Sequence, residues 1–144
     1  MSEGSMGYRR KAREIALQVL YQIDASGMDP VEALDLFWLN FEAPGNARGF
    51  AVTLVTGTMK HIGEIDAMIR ECSDHWSLDR MARVDRNILR MAIYELLHLH
   101  EIPPRATLNE AIDIGKTFGS ENSGAFVNGI LDAFYSRMHL KNEH

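Results

Sequence analysis

"RVDRNILRMAIYELLHL", Arg83 to Leu99, decides the fold. Its apolar residues Val84, Ile88, Leu89, Met91, Ala92, Ile93, Leu96, Leu97 and Leu99 recur at three- and four-residue spacing and cover most of a helical circumference. A helix that is apolar nearly all round has to be enclosed by other elements, so the flanking segments set the class. On the C-terminal side, "EIPPRATLNEA" (Glu101 to Ala111) stops it at Pro103 and Pro104. Thr107, followed three residues later by Glu110, reads as a capping box that opens the next helix. That helix ends at Phe118, with Gly119 behind it. The last one opens in "SENSG" with the capping types Ser120, Asn122 and Ser123, and sets Phe126, Val127, Ile130, Leu131, Phe134 and Met138 on one face.

On the N-terminal side, "SDHWSLDR" (Ser73 to Arg80) reads as a hinge between two halves. Before it, Ala51, Leu54, Val55, Met59, Ile62, Ile65, Ile69 and Cys72 hold helical spacing as one long helix, weakened at Gly57 and Gly63. "APGNARG" (Ala43 to Gly49) is a loop, and Asp29 with Pro30 is an N-cap followed by the favoured first helical residue. The first helix, about Arg9 to Ala25, carries the stripe Ala12, Ile15, Ala16, Val19, Leu20 and Ile23 and is closed by Gly27. Strand signals are scarce. The sequence predicts an all-α fold of two packed helical bundles with about six to seven helices. Residues 1–8 are expected to be a flexible leader, and residues 9–140 one domain with halves at about 9–72 and 79–140.

The chain has 144 residues, one cysteine (Cys72) and a formal net charge of −5. That length suits a single core, and a lone cysteine excludes an internal disulfide. No secretory h-region and no apolar run of membrane-spanning length is present, so a cytoplasmic protein without membrane contact is expected. Against this acidic background, "YRRKAREIALQVLYQ" (Tyr8 to Gln22) gathers Arg9, Arg10, Lys11 and Arg13; without them the remainder carries −5 − 4 = −9. The positive field is local, suited to an anionic partner docking at one place. Arg10 and Arg13 fall away from the apolar stripe and are expected to reach solvent. At a helix start these cations oppose the macrodipole, a cost that a polyanion would offset.

Two further surfaces invite partners. Tyr21 projects opposite the core stripe beside Leu17 and Gln18, a composition suited to contact with another protein. In "KTFGSENSGAF", Lys116 to Phe126, a helix end, a glycine and a new helix start are crowded together, with Phe118 and Phe126 at the edges. Unpaired N–H groups beside aromatic rings suit phosphates and unstacked bases. Catalytic and metal patterns are weak. "HLH" (His98, His100) puts its histidines on different faces and "CSDH" (Cys72, His75) lacks a matching second half, so no metal and no cofactor are expected, and Glu95 reads as a structural ion-pair partner of Arg83, Arg86 or Arg90. No nucleophile, P-loop or dinucleotide motif appears. An enzyme is not expected.

Three stretches in order, "RRKAREIALQVLYQ", "WSLDRMARVDRNILRMAIYELLH" and "IPPRATLNEAIDIGKTFGSENSGAFVNGILD", resemble the NusB family of bacterial transcription antitermination factors over Arg9 to about Ala133. The resemblance implies two helical bundles and a non-catalytic adaptor that pairs with NusE, a small-subunit ribosomal protein. The pair binds single-stranded boxA RNA of ribosomal RNA leaders and helps RNA polymerase resist termination. It implies RNA contacts from Arg9, Arg10, Lys11 and Arg13 and from Lys116, Phe118, Asn122 and Phe126, and NusE contacts from Tyr21 and Asp85. Asn122 stands where the family often has an acid, a change that favours RNA, and Asp85 is shorter than the glutamate common there. The RNA is expected to span the two RNA-contacting segments, with a single-strand salt slope of about −3 if four phosphates are neutralised.

Two other readings share the fold. One is a relative of the N-terminal domain of a ribosomal RNA cytosine methyltransferase, which would need a downstream α/β domain that is absent before His144. The other is a helical protein-interaction module without RNA, which leaves the basic run unexplained. The Leu17 and Tyr21 face would also allow a homodimer.

Overall fold

The computed structural model describes the backbone of residues 2–74 and 76–143, and side chains within 7–74 and 76–139. Among the described residues there are seven α-helices, one 3-10 turn and no strand. They are α1 (Ser2–Ser26), α2 (Pro30–Asn40), α3 (Gly45–Lys60), α4 (Ile62–Cys72), the turn Leu78–Arg80, α5 (Arg83–His98), α6 (Pro104–Phe118) and α7 (Ser123–Glu143). The chain divides into two compact units between Lys60 and His61.

In the first unit α1 packs mainly on α3, and α2 lies against both. The stripe read from the sequence is the buried one: Ala12, Ile15, Ala16, Val19, Leu20 and Ile23 are all at most 5% exposed. Alanines recur on the buried faces of α1 (Ala12, Ala16) and α3 (Ala47, Ala51), and small side chains set a short interaxial distance. The α1–α2 joint follows its local chemistry. Gly27 takes φ +73°, its N–H donating to the Ile23 carbonyl at 2.8 Å, and the Asp29 carboxylate accepts from the Val31 and Glu32 N–H groups at 3.0 and 3.4 Å.

In the second unit α5 is central and packs on α4, α6 and α7. Ten of its residues are buried, including Ile88, Leu89, Met91, Ile93 and Leu96, as its all-round apolar pattern requires. Polar side chains fix its neighbours. Arg90 reaches Asp66 on α4 through Nε and Nη2, at 2.8 and 3.0 Å. This is a mostly buried bidentate pair, with geometry that specifies orientation as well as attraction. Arg86 donates to the Leu78 carbonyl at 3.1 Å and so holds the 3-10 turn.

Three local expectations fail for physical reasons. The helix expected over residues 51–71 is two helices, broken at His61 (φ −107°, ψ 18°), with the second restarting on the Ile65 N–H to His61 carbonyl bond at 2.9 Å. Thr107 is not a cap. Helix α6 begins earlier, at Pro104, where a missing N–H costs nothing. The Thr107 hydroxyl is instead buried and donates to Glu95 Oε1 on α5 at 3.0 Å. The first helix also begins at Ser2 rather than near Arg9.

Glu95 is 2% exposed, so water cannot replace the bond that Thr107 gives it. Thr107→Val, which keeps the shape, is expected to cost about 1–3 kcal/mol. In urea titration the midpoint should fall with the slope unchanged; an unmoved midpoint would show that the bond contributes nothing.

Candidate nucleic-acid interface

The basic run lies about two to three turns into α1, since Arg9 follows the helix start at Ser2 by about two turns. At that depth the macrodipole no longer opposes it, because the effect fades within the first turn. Its four cations have different surroundings. Arg10 and Lys11 are exposed and Arg9 is half-buried. Arg13 is only 3% exposed, and its guanidinium lies over the Phe50 ring at 5.7 Å. The Tyr8 ring meets Phe50 edge-on at 6.3 Å, so Phe50 of α3 receives both the tyrosine and the arginine. The wheel that sent Arg13 to solvent treated α1 as having one packed face; the covering of a second side turns this cation inward.

The α6–α7 joint is tightly closed. A Cβ on Gly115 would sit 3.5 Å from Gly124 Cα, so the two helix backbones nearly touch. A Cβ on Gly119 would fall 2.5 Å from Ser123 Cβ and 2.8 Å from the Gly115 carbonyl oxygen. Gly119 has φ −95°, so space and not backbone conformation demands glycine there. The loop bonds reciprocally: the Ser120 N–H donates to Ser123 Oγ at 2.9 Å, and the Ser123 N–H donates to the Ser120 carbonyl at 3.0 Å. The N–H at the start of α7 is thereby occupied, which reduces the free donors expected there. Lys116 runs its stem across Gly124, where a Cβ would meet its Cγ at 2.9 Å, and Phe118 is 43% exposed at the end of α6.

Beside this joint lies an open cavity of about 350 Å³ lined by Trp76, Arg80, Met81, Ala82, Asp85, Ser120, Asn122 and Phe126. That size lies within the range of ligand pockets. Trp76, 56% exposed, meets the half-buried Phe126 edge-to-face at 6.2 Å. Asp85 is 8% exposed, and its Oδ1 accepts no hydrogen bond from the described residues. Asn122 and Phe126 therefore share a site with Asp85, which faces a partner only through the cavity it lines.

Of the residues placed on the partner face, Tyr21 and Gln18 are exposed, but Leu17 is 4% exposed and belongs to the core. The apolar contribution comes from α2 instead. Gln18, Gln22, Leu36, Phe37, Asn40 and Phe41 line a groove of about 230 Å³, and Leu39, Phe41 and Val31 are exposed nearby. Of the histidine pairs, His75 lies outside the described residues, whereas His98 of "HLH" meets His61, a contact between residues far apart in sequence.

Comparison with known proteins places the chain. The NusB family model matches residues 10–136. The chain belongs to the NusB family. A Syntrophus aciditrophicus transcription antitermination protein NusB is 53% identical over 98% of this chain and 88% of that protein. The Geobacter sulfurreducens protein of the same name is 50% identical over 92% of this chain and 97% of its own length. Among solved structures, a chain in a crystal structure of the antitermination factors NusB and NusE with dsRNA matches at TM-score 0.83 and 34% identity, covering 92% of this chain and 98% of that one. A solved T. maritima NusB matches at TM-score 0.80 and 37% identity, covering 88% of this chain and 89% of that one.

As a NusB-family chain this is a non-catalytic protein. No helix among its described residues is long and apolar enough to cross a membrane. Sequence reasoning missed Trp76 and the apolar face of α2 in this NusB fold. A tryptophan within the polar stretch "SDHWSLDR" was the available signal for the first. For the second it was the density of large apolar residues in "LFWLNF", more than one buried face can use.

Gly119→Ala should strain the joint, because neither the Ser123 Cβ nor the Gly115 carbonyl can swing aside. The expected cost is about 1–3 kcal/mol, read by chemical denaturation. Gly129→Ala, where the added Cβ meets nothing within 4 Å, is the control and should be neutral or stabilising.

Proposed function

We propose that this chain is an RNA-binding antitermination adaptor that acts with NusE on the boxA element of nascent ribosomal RNA, in the cytoplasm, as part of an RNA polymerase complex that resists termination. The observation that carries the reading is the exposed Trp76 ring edge-on to the half-buried Phe126, both lining a cavity that also holds Asn122. Exposed rings beside amide groups serve unstacked bases, which favours single-stranded RNA over a duplex. The names of the relatives support an antitermination role, and the solved complex of NusB and NusE with dsRNA supports an RNA-binding adaptor that acts with NusE.

Phosphate contacts come from Arg10 and Lys11, with half-buried Arg9 as a weaker contributor, and from Lys116 beside the cavity. Phe118 adds a second ring surface. Arg13 acts indirectly by fixing α1 on α3 through Phe50. Replacing the acid common at position 122 by Asn122 removes a repulsion from RNA. NusE contacts Tyr21, Gln18 and the exposed apolar residues of α2, since exposed apolar surface marks interaction sites; Asp85 is offered to it only through the cavity that it lines. A homodimer through the α2 face is the competing use of that surface, and light scattering with and without NusE separates the two.

Titration of labelled boxA RNA in the presence of NusE tests the reading. Phe126→Ala should weaken binding about 5- to 150-fold, equivalent to about 1–3 kcal/mol for one stacked base, while a duplex of the same sequence should bind more weakly than the single strand. Arg10→Ala should lower the salt slope by about 0.7. Arg13→Ala should instead leave the slope intact and lower thermal stability. Wild-type affinity in Phe126→Ala, or equal affinity with and without NusE, would overturn the proposal.

A further inference from the structure

We propose that His61, Glu64 and His98 form a three-ligand site for a divalent transition metal of the Zn2+ class. The three side chains each offer one ligand atom, and these atoms lie within 4.8 Å of one another. Two helix ends bring them together. His61 stands in the break before α4 and makes no side-chain capping bond, so its imidazole turns to Glu64, one turn on, with Nδ1 at 3.6 Å from Oε2. His98 is the last residue of α5 and lays its ring on that of His61, with centroids 4.1 Å apart and planes 24° from parallel. Tyr94, one turn before His98, forms a wall behind both rings at 6.1 and 5.3 Å.

The donor set decides the class of metal. Two imidazoles and one carboxylate suit zinc and its borderline neighbours, while magnesium and calcium prefer oxygen alone. Tetrahedral bonds of about 2.0–2.2 Å place ligand atoms roughly 3.3–3.5 Å apart. The His61–Glu64 edge already approaches that spacing, and the widest gap has to close by only about 1.5 Å. Glu64 and His98 are exposed, so an ion has a path to the cluster from solvent. Binding would draw the two rings out of their stack and pin the start of α4 to the end of α5 within one unit. The fourth position would be left to water. Acid at the first turn of α4 and histidine at the last turn of α5 would each suit its helix dipole separately. That does not account for their convergence on one point.

The test uses the full chain, freed of metal by chelation, with ZnCl2 titrated calorimetrically and CoCl2 followed by visible absorption. Expected are saturation at one ion per chain, cobalt bands of the intense tetrahedral type, and a zinc-dependent rise in melting temperature. His61→Ala and His98→Ala should each weaken zinc binding by at least about tenfold, the scale reached even by loss of an outer-shell partner. His100→Ala, an exposed neighbour outside the cluster, should bind as wild type. Circular dichroism and melting without metal show that each variant is folded; His98→Ala, at an exposed position, supplies the test if His61→Ala is not. Absence of saturable binding, wild-type affinity in His98→Ala, or an equal loss in His100→Ala would overturn the site.

Discussion

Enclosure of α5 is the constraint on which the second unit depends. A helix with ten buried residues cannot lie at a surface, and α4, α6 and α7 all pack on it. Apolar burial alone is non-directional, so it brings these helices to α5 without fixing their angles. Direction comes from the few polar groups within that core. The Arg90 fork on Asp66 orients α4, and the Glu95 acceptor for Thr107 sets the position of α6. Each bond satisfies a group whose burial would otherwise cost stability, so the polar and apolar parts of the core specify the same packing.

The cavity by the α6–α7 joint follows from that arrangement. With α6 held by Thr107, the glycines at 115, 119 and 124 let α7 return at very short range. The turn between them is then closed by Ser120 and Ser123 and presents Asn122 and Phe126 to one side. Arg86, anchored to the Leu78 carbonyl, holds the segment that carries Trp76 and Arg80. Rings held by a rigid joint lose little freedom when a base stacks on them, which is the usual advantage of a preformed surface.

Much of this was legible in the sequence because periodicity reports burial directly. The α1 stripe, the all-round apolar α5 and the Asp29–Pro30 start follow from local rules, and the family resemblance supplied the RNA and NusE readings. The failures share one cause. Arg13, Leu17 and Thr107 sit at positions where a second neighbouring element, invisible to a single-helix wheel, decides which way a side chain faces. The capping-box pattern at Thr107 was genuine as a pattern but lost to a buried acid twelve residues earlier. His61 and His98 are too far apart in sequence for any spacing rule to pair them. Trp76 was legible only as an oddity of composition, since nothing local states that its ring stays exposed.

The stacking of Arg13 on Phe50 bears on how variants of this protein are compared. Tallying basic residues along the first helix scores arginine and lysine alike, yet a planar guanidinium lies flat on a ring where a compact, strongly hydrated ammonium does not. An exchange of Arg13 for lysine would leave the charge count untouched while removing a joint between two helices, so ancestry traced through net charge alone would miss it.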